Sequence, residues 1–209
     1  MKKLVIIGAG DTGREVVDLA ERINSAKTEW ELLGFVDDYC DQLIVEGYPV
    51  LGGIEWLNEM EEEIHAVCSI GNGVIKKQII RKIINNNVKY ATLIDPKALF
   101  LKHSSCGQGC IIYAGAICAL NSTIGNHVYV GFNATVGHDT IIGDYSSIYP
   151  GSNISGKVVC GECCEFGTGS KVIQGINISE SVNVGAGAVI VRNILTSCTV
   201  VGCPARPIT

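Results

Sequence analysis

An apolar residue recurs at every sixth position through the second half of the chain. From Ile94 onward the sequence divides into eighteen hexads, and the first position is apolar in each except the last, where it is Thr196. The fifth position is small or aliphatic throughout, and glycine fills the second position in eight hexads. A phase of six held over 108 residues predicts a solenoid in which each hexad forms one short strand and one corner.

Three hexads complete one triangular coil of a parallel β-helix, so eighteen hexads predict six coils. At ~4.8 Å between stacked strands, the prism is about 29 Å tall. We expect first and fifth side chains to fill its interior and second-position glycines to relieve its corners. This register also predicts small core residues rather than a zinc site for five cysteines. These are Cys106, Cys118 and Cys160 at first positions and Cys110 and Cys164 at fifth positions.

The first 93 residues follow a different pattern, in which short apolar runs alternate with amphipathic stretches. A GxGxxG motif at residues 8–13 lies between the first run and the first amphipathic stretch. This alternation predicts a parallel sheet with ligand contacts beyond the C-terminal ends of its strands. The glycines leave two interpretations open, a ligand site or merely a tight turn from strand to helix. The pattern predicts strands at 3–7, 32–36, 66–70 and 90–94, helices at 14–24, 54–61 and 74–86, and a turn at 48–49.

Composition supports a division into two domains, residues 1–93 and 94–209. The first part carries 25 of the 37 charged residues but only 9 of the 25 glycines. No apolar run is long enough for a transmembrane helix, and the N-terminal run is too short for a signal peptide. We therefore expect a cytoplasmic protein with reduced cysteines and no membrane insertion. The net charge of −5 offers no basic surface for nucleic acid.

The candidate catalytic residue is one of four histidines. His103 and His127 stand at fourth hexad positions, where we expect polar surface. His138 stands at a corner, in the third position of VGHDTI, with Asp139 beside it and Asp144 in the next hexad. A carboxylate next to an outward imidazole favours the imidazolium that forms on proton abstraction. The pair is a candidate general base, with an ordinary solvated corner as the alternative.

Together these motifs resemble one family of enzymes. The glycine motif, FVDD at 35–38, SIGN at 69–72, the hexads containing VGHDTIIGDY and the terminal VGCPAR are similar to the hexapeptide-repeat sugar O/N-acetyltransferases. The groups most resembled are the sialic acid O-acetyltransferases and the UDP-4-amino-sugar and perosamine N-acetyltransferases. The resemblance covers essentially the whole chain. It implies a Rossmann-like α/β unit that holds the acceptor, then a left-handed parallel β-helix, in a homotrimer that binds acetyl-CoA along the prism wall.

The resemblance also implies roles for particular residues. His138 matches the general base and Asp139 the acidic residue that increases its basicity, and no metal is implied. Three positions match contacts to acetyl-CoA, and four match contacts to the sugar acceptor. The acetyl-CoA positions are Ser147, Thr168 and Ala186, and the acceptor positions are Gly10, Asp37, Asp38 and Gly71.

The implied reaction is direct transfer of an acetyl group from acetyl-CoA to a sugar amine or hydroxyl, in the synthesis of cell-surface polysaccharide. A nucleotide-linked amino sugar is the expected acceptor, and O-acetylation of a sialic acid or related sugar is the alternative. Six positions depart from the family pattern. Ser147 stands where a histidine is frequent, and the side chains of Thr168 and Ala186 also differ, although both can act through backbone groups. The others are Asp11 and Thr12 in the glycine motif and Gly131 where an asparagine is common. Three other classes stay open, namely a zinc-dependent hydratase, a nicotinamide oxidoreductase and a purely structural solenoid.

Overall fold

The N-terminal half forms an α/β unit around one six-stranded sheet, in a computed structural model that describes residues 1–208. Its strands are β1 (Lys2–Ile7), β2 (Trp30–Val36), β3 (Ile44–Val45), β4 (Tyr48–Gly52), β5 (Ile64–Cys68) and β6 (Val88–Tyr90), and its helices are α1 (Asp11–Ala26), α2 (Ile54–Asn58) and α3 (Gly73–Lys82). The sheet order is β3-β4-β2-β1-β5-β6. Every pair is parallel, as predicted, except the hairpin of β3 and β4.

This hairpin corrects the prediction of a simple turn at residues 48–49. β4 instead pairs with β2 inside the sheet. Gly34 of β2 has a φ of +147°, and a Cβ there would lie 2.2 Å from the carbonyl oxygen of Pro49. A proline-containing strand is accepted because the glycine opposite leaves room for it.

Two further boundaries differ from the prediction at the end of this unit. Helix α3 ends four residues before the predicted 86, because the side chains of Asn85 and Asn87 donate hydrogen bonds to carbonyl groups around Met60. Such side-chain bonds compete with continuation of a helix. The strand predicted at 90–94 is two strands, β6 in this sheet and β7 (Leu93–Ile94) in the solenoid.

The rest of the chain is a parallel β-helix with three faces and six coils, as predicted. Its further strands are β8 (Leu99–Phe100), β9 (Ser105–Cys106), β10 (Ile111–Ile112), β11 (Ile117–Cys118), β12 (Thr123–Ile124), β13 (Tyr129–Val130), β14 (Thr135–Val136), β15 (Ile141–Ile142), β16 (Ser147–Ile148), β17 (Asn153–Ile154), β18 (Val159–Cys160), β19 (Glu165–Phe166), β20 (Lys171–Val172), β21 (Asn177–Ile178), β22 (Asn183–Val184), β23 (Val189–Ile190), β24 (Thr199–Val201) and β25 (Arg206–Ile208). Face 1 stacks β7-β10-β13-β16-β19-β22-β24, face 2 β8-β11-β14-β17-β20-β23, and face 3 β9-β12-β15-β18-β21.

First and fifth hexad positions fill the interior of the prism, as predicted. Side chains such as Ile112, Val130 and Phe166 are fully buried there. The five cysteines in this register are unpaired core residues, four of them buried and Cys106 half-buried. Stacked aliphatic layers, with cysteine as a small substitute, therefore hold the coils together.

The second-position glycines serve a purpose other than the one predicted. The left-handed corner residue stands at the fourth position, as in Asp139 (φ 57°) and Lys157 (φ 59°). A Cβ on the second-position Gly137 would instead lie 2.4 Å from the backbone nitrogen of Gly156 in the next coil, and one on Gly143 would meet the backbone of Gly161 equally closely. These glycines permit close stacking of consecutive coils, while the fourth residue turns the corner.

The six-residue phase ends at Ile190, whereas the sequence pattern predicts hexads as far as Val201. Ile178 bridges Ile194, and β22 pairs with β24 at a spacing of 16 residues instead of 18. Within residues 1–208 no strand stacks beyond β24 on this face except β25, and the last turn is correspondingly two residues shorter. β25 then pairs antiparallel with β24 and covers the edge of face 1.

The α/β unit packs on face 1 of the prism. Ile111 and Tyr129 point outward from this face into one apolar cluster with Leu4 and Ala91. Two ion pairs add to the junction: Arg22 of α1 with the buried Asp95, and Lys77 of α3 with Glu162. Faces 2 and 3 carry no part of the α/β unit, and this arrangement determines where the candidate site residues lie.

Candidate active site

His138 and Asp139 form a hydrogen-bonded pair at the corner between face 2 and face 3. His138 follows β14, and its Nδ1 lies 2.8 Å from Oδ2 of Asp139. Asp139 also accepts a 2.9 Å hydrogen bond from Nδ2 of Asn121, which occupies the same corner one coil earlier. The bond from His138, followed by that from Asn121, holds the pKa of Asp139 below its ordinary value. An ionised carboxylate only accepts hydrogen bonds, so this bond selects the tautomer of the neutral imidazole that carries its proton on Nδ1 and its lone pair on Nε2.

The free side of the imidazole lies over Gly156, one coil further along. The His138 side chain is 55% exposed, and a Cβ on Gly156 would lie 2.5 Å from Nε2. The N–H of Gly156 makes no hydrogen bond to any group within residues 1–208. This corner therefore presents a proton acceptor beside an unused backbone donor, which is the pair of groups that acyl transfer requires.

Asp144 does not join this pair, although it stands in the adjacent hexad. Its side chain lies at the next corner, where Oδ1 accepts the backbone N–H of Asn126 at 2.7 Å. One hexad advances the chain by a third of a coil, so residues six apart point from different corners.

The prediction of an outward His127 is wrong. This side chain is 3% exposed and lies at the junction of the two domains, edge-on to Tyr90 and stacked on Tyr145. Burial, with a smaller contribution from Lys76, lowers the pKa of His127 to about 4, so the ring is neutral at physiological pH. His103 is exposed as predicted. No group of three or more histidine, cysteine or acidic side chains could hold a metal ion within residues 1–208.

The three residues predicted to contact acetyl-CoA lie in two places. Thr168 and Ala186 are exposed and stack on consecutive coils at the corner between faces 1 and 2. Ser147 is fully buried on face 1 beneath the α/β unit, where its hydroxyl donates to the carbonyl oxygen of Gly71 at 2.6 Å. Its side chain is therefore not available to a cofactor in this arrangement, which corrects that prediction.

Three of the predicted acceptor residues meet at the C-terminal edge of the N-terminal sheet. Asp37 fixes the glycine loop by accepting the backbone N–H of Ala9 at 2.8 Å. Asp38 accepts the N–H of Ile54 through Oδ1, and its Oδ2 accepts no hydrogen bond within the described residues. Gly10 precedes α1, and a Cβ there would meet nothing within 4 Å. Asp37 and Asp38 line a largely apolar cavity of about 480 Å³ with Ile54, Ile70, Ile75 and Ile79.

Gly71, the fourth predicted acceptor residue, ends the loop after β5 at the junction with face 1. A Cβ on Gly71 would lie 2.5 Å from the hydroxyl oxygen of Tyr149, so a larger residue would displace the end of that side chain. The whole acceptor edge thus lies on the side of face 1, whereas His138 lies at the opposite corner of the same prism. One chain alone does not bring the predicted base and the predicted acceptor residues together.

Sequence reasoning missed Asn121, Gly156 and Lys76. Asn121 and Gly156 stand 18 residues from Asp139 and His138 respectively, which is one coil, so the repeat itself held the signal. Lys76 stands in the buried phase of α3 with Gly73 and Ile80. A lysine at a helix position that is otherwise occupied by buried residues was the sequence signal for Lys76, because lysine is rarely fully buried.

Comparison with known proteins identifies relatives of both halves of the chain. Residues 3–83 match the family described as the PglD N-terminal domain, and residues 121–156 match the bacterial transferase hexapeptide (six repeats). A GDP-perosamine N-acetyltransferase from Escherichia coli O157:H7 is 30% identical over 183 residues, which are 87% of this chain and 82% of that protein. No helix among the described residues has the length and apolar character to cross a membrane.

Solved structures that match along the full length include two with bound ligands. The acetyltransferase domain of PglB from Neisseria gonorrhoeae FA1090, in complex with acetyl coenzyme A, has a TM-score of 0.90 at 35% identity and covers 99% of both chains. PerB from Caulobacter crescentus, in complex with CoA and GDP-perosamine, has a TM-score of 0.89 at 27% identity and covers 100% of this chain and 98% of that one.

Proposed function

The chain belongs to the hexapeptide-repeat sugar acetyltransferases, enzymes that use acetyl-CoA, and from this we propose that it acetylates the amine of a nucleotide-linked amino sugar with His138 as general base. The observation that carries the proposal is the His138–Asp139 pair, whose Nε2 faces outward beside the free N–H of Gly156. The N-acetyltransferases among the relatives favour an amine over a hydroxyl acceptor.

The proposed reaction is a direct transfer in a ternary complex. The acceptor nitrogen attacks the thioester carbon while Nε2 of His138 takes the proton from that nitrogen. Asp139 stabilises the imidazolium through Nδ1, and the N–H of Gly156 donates to the developing oxyanion. When the tetrahedral intermediate collapses, the bond between carbon and sulfur breaks, and the imidazolium returns the proton to the CoA thiolate. No cysteine is acetylated on this path, and the five at first and fifth hexad positions are core residues.

The acceptor edge has features that suit a nucleotide-linked sugar. Its cavity walls are apolar enough for a base, and the free oxygen of Asp38 can accept a hydrogen bond. The start of α1 has no side-chain cap, so its N–H groups are available to phosphate oxygens. The unexpected carboxylate of Asp11 is fully exposed and lies 3.5 Å from Arg14, which weakens its repulsion of such a ligand.

We propose further that the protein acts as a homotrimer, because the site is incomplete in one chain. Exposed apolar side chains on faces 2 and 3 support this, since a free surface of aliphatic residues favours association. They flank the corner of His138 and include Leu99, Ile117, Leu120, Ile141 and Val159. In a threefold assembly, His138 of one chain would face the acceptor edge and Gly71 loop of the next.

The test measures thiol release from acetyl-CoA with matched nucleotide-linked and free amino sugars. We expect turnover with a nucleotide-linked amine and a product that resists hydroxylamine, as an amide does and an ester does not. His138→Ala should lose about 10²–10⁴ in rate while keeping its assembly. Near-normal turnover by that variant would remove His138 as the base, and a hydroxylamine-sensitive product would show O-acetylation instead.

A further inference from the structure

Lys76 is buried at the junction of the two domains, and the proposed reaction does not use it. Its Nζ donates to the carbonyl oxygen of His127 at 3.0 Å and to Oγ of Ser147 at 3.1 Å. The side chain is 1% exposed and pairs with no carboxylate among residues 1–208. Burial lowers the pKa of Lys76 to about 8. A buried ammonium without a counter-ion is costly to the fold, so its presence points to a role other than stability.

Ser147 connects this lysine to the loop that ends in Gly71 and Asn72. Its hydroxyl has one proton, which it donates to the carbonyl oxygen of Gly71 at 2.6 Å, and it accepts the hydrogen bond from Lys76 with a lone pair. The next residue of the loop is also tied to face 1, because Nδ2 of Asn72 donates to Glu165 at 2.7 Å. The hydrogen bonds of Gly71 and Asn72 therefore hold two consecutive residues of this loop against face 1 of the prism.

We propose that Lys76 is a positioning residue for the acceptor: acting through Ser147, it fixes the Gly71 carbonyl and with it the acceptor loop relative to the solenoid. This rests on the proposed function, in which Gly71 belongs to the acceptor site. Lys76 lies behind Ser147 and does not touch the substrate. Loss of a charge-assisted hydrogen bond of this kind corresponds to a decrease of about 10- to 100-fold in kcat/KM for the acceptor.

The kinetic test compares Lys76→Met with Lys77→Met. The first removes the charge and its donors but keeps the apolar stem. The second is the matched control, because Lys77 pairs with Glu162 across the same junction without contacting Ser147. We expect Lys76→Met to lower kcat/KM for the acceptor about 10- to 100-fold, with KM for acetyl-CoA within about twofold of wild type. Lys77→Met should resemble wild type, and adding Lys76→Met to Ser147→Ala should cause little further loss.

Amide hydrogen exchange of residues 69–73 in the same variants gives a readout that needs no activity. Faster exchange in Lys76→Met than in Lys77→Met supports the proposal. Equal exchange rates in Lys76→Met and Lys77→Met, or equal kinetic losses in these two variants, would overturn it. Additive losses in the double variant of Lys76→Met and Ser147→Ala would overturn it as well. Absence of acetyl transfer by the wild type to every amino sugar would refute the proposed function, while the exchange experiment would still decide whether Lys76 fixes this loop.

Discussion

Each proposed active site takes its base from one chain and its acceptor edge from the next, and mixed trimers can test this. Two variants are needed, His138→Ala to remove the base and Gly10→Phe to block the acceptor edge. Gly10 suits the purpose because it is a predicted acceptor position, its φ is not left-handed, and a Cβ there meets no atom within 4 Å, so a side chain can be added without a clash at its Cβ.

The expected activity follows from counting chains. With equal, random mixing, the chain that supplies His138 carries the intact histidine in about half of the sites, and its neighbour carries the intact Gly10 in about half. About a quarter of the sites in the mixture are then complete, although each variant alone is inactive. If base and acceptor edge came from one chain, no mixture would contain a complete site.

The assay is thiol release from acetyl-CoA after the two variants are unfolded and refolded together. Differently tagged chains purified in sequence ensure that the trimers contain both variants, and wild type treated identically sets the scale. Recovery of about a quarter of the wild-type rate in the unfractionated mixture is the expected result. If trimers shown to contain both variants are no more active than each variant alone, the division of the site between chains is refuted.

Three further predictions concern single residues. Asp139→Asn should lower kcat about 10²-fold with the assembly unchanged on size-exclusion chromatography, because the amide no longer fixes the Nδ1 proton; an unchanged kcat would contradict this role. Gly156→Ala should impair turnover more than thermal stability, because its Cβ would lie 2.5 Å from Nε2 of His138, and retention of full activity would count against that geometry. Lys76→Met should alter the pH dependence of stability. With the pKa of Lys76 lowered from 10.5 to about 8 on folding, the ammonium costs about 3 kcal/mol below pH 8, and the cost disappears as the pH rises towards 10.5. In denaturant unfolding, the free energy of unfolding of the wild type should rise relative to that of the variant by up to this amount between pH 7 and 10. The same pH dependence in both proteins would refute this prediction.

The fold was largely predictable because its signals are local. In the prism each coil contacts only its neighbours, so the six-residue phase predicted the faces, the coil number and the core cysteines. The departures occur where distant segments meet. Gly34 admits the strand containing Pro49, and the asparagines after α3 bond to another loop, and neither effect is visible in a local pattern.

The sequence by itself determined the repeat, the adjacency of His138 and Asp139 and the place of the glycine loop, since each depends on residues close together or at a fixed period. Only the tertiary structure decided which face of the prism receives the α/β unit, because that choice depends on packing between residues far apart in the chain. That choice buries His127 and Ser147, places Lys76 behind the Gly71 loop, and puts His138 at the opposite corner from the acceptor edge. A six-residue phase tells which side chains point outward, but not which of those outward faces another domain will cover.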